Sequence, residues 1–363
     1  MNKQVNKDNR RVKIGITQGD INGIGYEIII KVLHDQRMLD SITPLVYGVS
    51  KVASYHRKVL EMHDFNFNLV KNAEAANPKR PNIVNCYDKE VKIELGKSTT
   101  VAGELAYLAL EKSVEDLQNG LIDVMVTAPI NKKNIQSEEF HFPGHTEYLA
   151  EKFNTTDFLM LMISNNLRIG VVTSHIPLNS VSSELTKDVI LQKLRIMNNS
   201  LKRDFNIGRP RIALLGLNPH AGDNGLLGKE EEETIIPAIS EAFDEGILAY
   251  GPYAADGFFG SSTYNSFDGI LAMYHDQGLI PFKAISFESG VNYTAGLPFI
   301  RTSPAHGTAY EIAGKNQASP ESMRSALFLA TDIFMNRQRF DKMNKNPLPL
   351  NDVNKENGER QTQ

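Results

Sequence analysis

Short apolar runs alternate with helix-length amphipathic segments along most of this chain, and that alternation restricts its fold more than any other feature. Residues 12–17, 43–49, 68–71 and 123–127 read as strands. Residues 24–39, 51–62 and 101–119 have apolar positions at helical spacing, with Gly120 placed to stop the last of them. Later runs at 169–173, 212–217 and 270–274 are equally short and are bounded by Gly, Asn or Pro. A long helix over 186–205 separates two of them, its exit marked by Gly208 and Pro210. Strands that are apolar at nearly every position are buried on both faces, which is the environment of a parallel sheet covered by helices. The expectation is an α/β fold without internal repeats.

Each of the three later runs is followed by a histidine: His175 in RIGVVTSH, His220 in RIALLGLNPHAG and His275 in GILAMYHDQG. Parallel strands present all their carboxyl ends at one rim, so three imidazoles could meet there. Neutral His nitrogens suit Zn, Co, Ni or Fe, and three such ligands leave coordination positions open for substrate. A single histidine in such a place more often caps a strand or bonds a loop carbonyl. The shared position of all three is what favours a metal.

Length and charge narrow the function. A chain of 363 residues exceeds what one hydrophobic core usually supports, so two lobes with a cleft are expected. A net charge of -4 with mixed signs gives no electrostatic footprint for nucleic acid or an anionic membrane, so a small molecule is the expected partner. The N-terminal MNKQVNKDNRR has no apolar segment after it and reads as neither signal peptide nor anchor; no run approaches the roughly 18 apolar residues of a membrane span. Cys86 is the sole cysteine, which excludes an intrachain disulfide and fits a cytoplasmic location; NCYDKE supplies no base to activate it. From about Asn336 onward the chain is rich in Asn, Lys and Glu, and a disordered tail is expected.

Several loops carry candidate binding groups. GDINGIG (residues 19–25) lies between the first strand and first helix, but a dinucleotide fingerprint requires a third glycine where Ile28 stands. GDNGLLGKE (222–230) has the wrong spacing for a phosphate loop, and Glu230 replaces the required Ser or Thr. FPGHTEYLAE reads as a turn into a helix with Thr146 as N-cap and His145 beside it, a natural seat for phosphate. Lys283, Asn292 and Arg301 fall around short strands after His275 and could complete an oxyanion clamp. Asp256 and Asp276 are candidates for proton transfer or for supporting an imidazole.

TAPINK, GHTE, SHIPL, GLNPHAGDNG, GPYAAD, YHDQGL and VNYTAGLPFIRTS occur in an order and spacing that resemble the 4-hydroxythreonine-4-phosphate dehydrogenase family, over about residues 13–337. The resemblance implies a two-lobed α/β/α fold like that of isocitrate and isopropylmalate dehydrogenases, with largely parallel sheets and a cleft near a homodimer interface. It places one lobe at 1–133 plus 296–340, a second at 134–295, and a tail at 341–363. It implies that His175, His220 and His275 hold a divalent ion (Zn, Mg or Co), one of them donated across the dimer. It assigns His145, Thr146, Lys283, Asn292 and Arg301 to the phosphorylated substrate. It also implies NAD, or NADP, held without a Rossmann loop at contacts the sequence leaves unknown. Two departures bear on cofactor contacts: GDINGIG is a divergent opening loop, and Ala305 stands where many relatives have Asp.

The implied chemistry is oxidation of a secondary alcohol followed by loss of carbon dioxide from the resulting β-keto acid, in pyridoxal 5′-phosphate biosynthesis. A metal on neutral imidazoles lowers the pKa of a bound hydroxyl and accepts electrons released in decarboxylation. Asp256, Asp276 and Lys283 are the catalytic candidates for proton relay. Alternatives are a D-threonate or D-erythronate 4-phosphate dehydrogenase, a three-histidine hydrolase or aldolase, and a binding protein without catalysis.

Overall fold

The computed structural model describes residues 10–286 and 288–346. The chain before residue 10, and the tail beyond 346, lie outside the described residues. Among the described residues twelve strands form one sheet: β1 (Val12–Thr17), β2 (Ile42–Gly48), β3 (Asn68–Val70), β4 (Asn82–Asn85), β5 (Val124–Thr127), β6 (Leu159–Ser164), β7 (Leu167–Thr173), β8 (Arg211–Leu215), β9 (Leu248–Tyr253), β10 (Gly269–Tyr274), β11 (Val291–Ala295) and β12 (Arg301–Pro304). Their spatial order is β3-β4-β2-β1-β5-β12-β11-β6-β7-β10-β8-β9. Pairing is parallel except in the middle, where β11 runs antiparallel to β12 and β6, and β6 to β7. The expected α/β class holds. An antiparallel centre was not visible in the sequence, because β6 (LMLMIS) is as apolar as its parallel neighbours, and β11 (VNYTA) and β12 (RTSP) are short, more polar runs with no signal of direction. A tight turn with Asn165 in the left-handed region (φ 50) joins β6 to β7.

Local chemistry sets most element ends. Thr99 caps the helix Thr100–Gln118 by accepting from the Ala102 amide, and Gly120 (φ 68) ends it. Thr186 caps Lys187–Arg203 through the Val189 amide. The helix expected over 24–39 is instead Gly25–His34 followed by a short turn at Met38–Ser41. Asp35 accepts the Arg37 amide at 3.1 Å and diverts the backbone there.

The final helix, Glu321–Met343, overturns the expectation of disorder from Asn336. Asn336 donates to the Asp204 carbonyl at 2.8 Å, and Arg337 is buried with its Nε 2.6 Å from Asp204 Oδ1. Tyr293 on β11 donates to Asp204 Oδ2 at 2.6 Å and accepts from Arg337 Nη2 at 3.0 Å. A polar composition concealed a helix whose charge is neutralised across the fold.

The GDINGIG loop is wholly buried and spent on the fold. Asp20 accepts from Asn134 at 2.8 Å and Tyr310 at 2.7 Å, and Asn22 binds Lys97 and Thr99. At Gly19 (φ 68) a Cβ would stand 2.4 Å from the Pro129 carbonyl. These glycines admit neighbouring backbone, not a ligand.

Candidate active site

A cavity of about 290 Å³ opens at the carboxyl ends of β5, β7 and β10, where the parallel and antiparallel strands meet. β5 ends at Thr127 and leads into the loop carrying Lys132. The helix His145–Lys152 points its first turn at the cavity, while β11 brings Asn292 and β12 brings Arg301 and Ser303. Side chains alternate along β11. Asn292 therefore faces the cavity while Tyr293 points to the Asp204–Arg337 pair on the other side.

Arg301 is 4 % exposed and has no carboxylate partner among the described residues. Its Nε and Nη2 donate to Thr127 Oγ1 at 3.1 and 2.7 Å, and Nη2 lies 3.2 Å from His145 Nδ1. Burial pushes its pKa down to about 10, and the Glu147 charge only partly opposes this. Burial, together with the charges of Arg301 and Lys132, holds His145 well below its ordinary value, so its ring is neutral. With Arg301 donating to Nδ1, His145 Nε2 carries the proton, and that atom is buried without a partner. Asn292 Oδ1 is buried without a partner too. An unpaired buried cation beside unsatisfied polar atoms is unfavourable in the free protein and complementary to an anion. Thr146 is not the N-cap expected from the sequence. Gly144 occupies that position, and the Thr146 hydroxyl pairs with Thr294 at 3.3 Å. Lys283, two turns into the helix His275–Ser286, completes this part of the lining.

β7, β10 and β8 lie side by side and parallel, so the three histidines do leave neighbouring strand ends. His175 and His275 come together, their ring centroids 5.8 Å apart and their planes tilted by 42°. Each ring presents Nδ1 to a carboxylate: His175 to Glu147 Oε1 at 3.3 Å, His275 to Asp276 Oδ1 at 2.7 Å. With Nδ1–H donated to a carboxylate, each ring keeps its Nε2 lone pair available to a metal. Burial alone would raise the Glu147 carboxyl, but the hydrogen bonds from His175 and from its own backbone amide, with the Lys132 charge, outweigh it and hold it below the usual range.

His220 does not join them. It sits five residues past β8 in a solvent-exposed turn where His220 (φ 53), Ala221 (φ 52) and Asp223 (φ 45) are all left-handed. Asn218, just before it, is tied by its amide and side chain to Glu231. Among the described residues of one chain no set of three metal-ligating side chains converges, and the resemblance had implied that one of the three histidines is donated across a dimer. Asp256 is exposed on the helix Ala255–Gly260 and does not line the cavity. Asp276 also lies outside it, behind His275. Glu147 and Lys132 carry no signal of their own in the sequence, although GHTE and TAPINK contain them. His306 was also missed; burial lowers its pKa, and its Nδ1 lies 3.1 Å from the Gly307 carbonyl. Cys86 lies elsewhere, and burial pushes its thiol up to about 12, which removes it as a nucleophile.

Residues 40–330 match the family model described as pyridoxal phosphate biosynthetic protein PdxA. The chain is 57 % identical over 342 residues, 94 % of each chain, to a 4-hydroxythreonine-4-phosphate dehydrogenase of Bacteroides thetaiotaomicron. It is 39 % identical over 324 residues, 88 % of this chain and 97 % of the relative, to a putative D-threonate 4-phosphate dehydrogenase of Oceanobacillus iheyensis. The crystal structure of 4-hydroxythreonine-4-phosphate dehydrogenase from Klebsiella pneumoniae superposes with a TM-score of 0.75 at 34 % identity, covering 90 % of this chain and all of that one. With the fold, the cavity and these likenesses in agreement, the chain belongs to the PdxA family of pyridoxal phosphate biosynthetic proteins.

Proposed function

We propose that this chain oxidises 4-phosphooxy-L-threonine at C3 with NAD, or NADP, and decarboxylates the product to 3-amino-2-oxopropyl phosphate, in pyridoxal 5′-phosphate biosynthesis. The observation that carries the proposal is the buried, unpaired Arg301 beside a carboxylate-braced pair of imidazoles in one cavity. Arg301, His145, Thr146, Asn292 and Lys283 bind the phosphorylated substrate. Arg301 offers two donors on one face, and the helix start at His145 adds free amides. His175 and His275 fit a divalent metal (Zn, Mg or Co), with His220 of a second copy of the chain as the third ligand in a homodimer. When bound, that metal supplies Lewis-acid stabilisation of negative charge on the substrate oxygen, and the nicotinamide supplies the hydride acceptor. Of the three proton-relay candidates, Lys283 alone lines the cavity, whereas Asp276 braces His275 and Asp256 stands apart. Two lobes, 1–133 with 296–340 and 134–295, and a cytoplasmic location belong to the same reading; no helix of the described residues is long and apolar enough to cross a membrane.

The Oceanobacillus relative favours a second reading, in which the substrate is D-threonate or D-erythronate 4-phosphate and lacks the C2 amine. NADH formation measured with each substrate, with and without a chelator, decides between them. Turnover of the amino acid phosphate alone, abolished by chelator, is the expected result. No NADH from any of these substrates would sink the dehydrogenase reading and return a hydrolase or aldolase. His220→Ala is expected to lose the metal-dependent activity while keeping the fold.

A further inference from the structure

Three cationic side chains line the cavity (Lys132, Lys283 and Arg301) against one carboxylate, Glu147. Counting histidines as neutral, 3 − 1 leaves a charge of +2, the complement of a phosphate monoester dianion. Lys132 is the member of this set that neither the sequence nor the family resemblance assigned. We propose that Lys132 is a further substrate-binding residue that joins Arg301 in the phosphate site; the inference rests on the function proposed above.

The lysine is aimed by a loop already fixed in place. Asn131 Oδ1 accepts from the amides of Lys133 (2.9 Å) and Asn134 (3.1 Å), and the Lys132 carbonyl accepts from Gln136 Nε2 at 3.0 Å. Asn134 is anchored to Asp20, and Ile135 is buried in the core. Only the side chain of Lys132 is left free to move. Its Cε lies 3.7 Å from where a Cβ on Gly144 would stand, at the opening turn of the helix that carries His145 and Thr146. From there its charge reaches both His145 and Glu147. His145, nine-tenths buried in the same cavity, leaves Nε2 without a partner.

The usual reading of an exposed lysine is a solvated or surface-paired one. Lys31, Lys112, Lys152 and Lys187 each hold a carboxylate within 3 Å, whereas the Lys132 ammonium has no hydrogen bond or ion pair among the described residues. Lys132 and Arg301 line the same cavity, so an anion bound there meets both charges. Lysine suits this position because a flexible stem can follow the substrate while Arg301 stays fixed.

The test uses the full-length protein, Lys132→Met and Lys132→Arg, with inorganic phosphate as a competitive inhibitor and as a thermal-shift ligand, alongside steady-state kinetics on 4-phosphooxy-L-threonine. For Lys132→Met, KM and the phosphate inhibition constant are expected to rise about tenfold or more, with kcat changed much less. Thermal protection by phosphate should weaken in parallel. Lys132→Arg should stay within roughly threefold of wild type, because it keeps the charge. Equal phosphate protection of wild type and Lys132→Met, or equal loss in both variants, overturns the proposal. If wild type is protected by phosphate but turns over no substrate, the assigned reaction fails while the Lys132 assignment still stands or falls on the protection data. Loss of kcat with KM unchanged would assign Lys132 to chemistry rather than binding and also overturn it.

Discussion

Arg301→Met should stabilise the free protein while destroying its affinity for phosphate. Arg301 is a buried guanidinium whose pKa is pushed down to about 10 from 12.5, chiefly by loss of water. A cation whose folded pKa lies below its unfolded value destabilises the fold by the full difference at any pH under about 10. Near neutrality, a gap of 2.5 pH units at roughly 1.36 kcal/mol each comes to about 3 kcal/mol. Methionine keeps the apolar stem and removes the charge, but it forfeits two hydrogen bonds to Thr127 and one to His145, together worth about 1–2 kcal/mol. The net gain is about 1–2 kcal/mol. With an unfolding entropy of roughly 2.1 cal/mol/K per residue over 363 residues, each kcal/mol moves Tm by about 1.3 °C. Differential scanning calorimetry should therefore show Tm of the variant higher by about 1–3 °C. Wild type should gain about 3–4 °C from phosphate at a hundred times its Kd, and the variant almost none. A fall of several degrees, or undiminished phosphate protection in the variant, would show that Arg301 ties the fold together and does not await an anion.

Burial, only partly offset by the Ile21 carbonyl, lowers His56 to about 4, so its contribution is intact above pH 6.5 and is lost as pH falls toward 4; the total is roughly 3 kcal/mol. Urea denaturation at pH 7 and pH 5 should show the decline, and His56→Gln should flatten it. Arg337→Met strands the Asp204 carboxylate and should cost about 3–5 kcal/mol, a Tm loss of about 4–7 °C by calorimetry; a change under a degree would refute an ion pair that matters. Gly103→Ala places a Cβ 1.9 Å from the Asn134 carbonyl, which backbone cannot easily yield; destabilisation of about 2–3 kcal/mol and weaker phosphate binding are expected from the displaced Lys132 loop. Asp276→Asn keeps the size but weakens the brace on His275, so zinc titration should show affinity falling about 10- to 100-fold; unchanged affinity would remove His275 from the ligand set.

The sequence by itself determined the fold class and singled out part of the cavity lining, including His145, Lys283, Asn292 and Arg301, but not Lys132, Glu147 or His306. Strand and helix signals are local: a β-run such as 12–17, or a cap such as Thr186, depends on residues within one turn of itself. The sequence also placed His175 and His275 correctly at adjacent strand ends, because a parallel sheet delivers every carboxyl terminus to one rim. Tertiary structure decided what spacing cannot encode. The central strands run antiparallel because of how β6, β11 and β12 pair, not because of their composition. His220 turns outward because a left-handed turn anchored on Glu231 intervenes. Asn336 and Arg337 read as the start of a tail until Asp204, more than a hundred residues away, is seen to hold them. Arg301 became the pivotal residue only when its burial without a counter-ion was visible, since solvation is a property of the whole fold around a side chain.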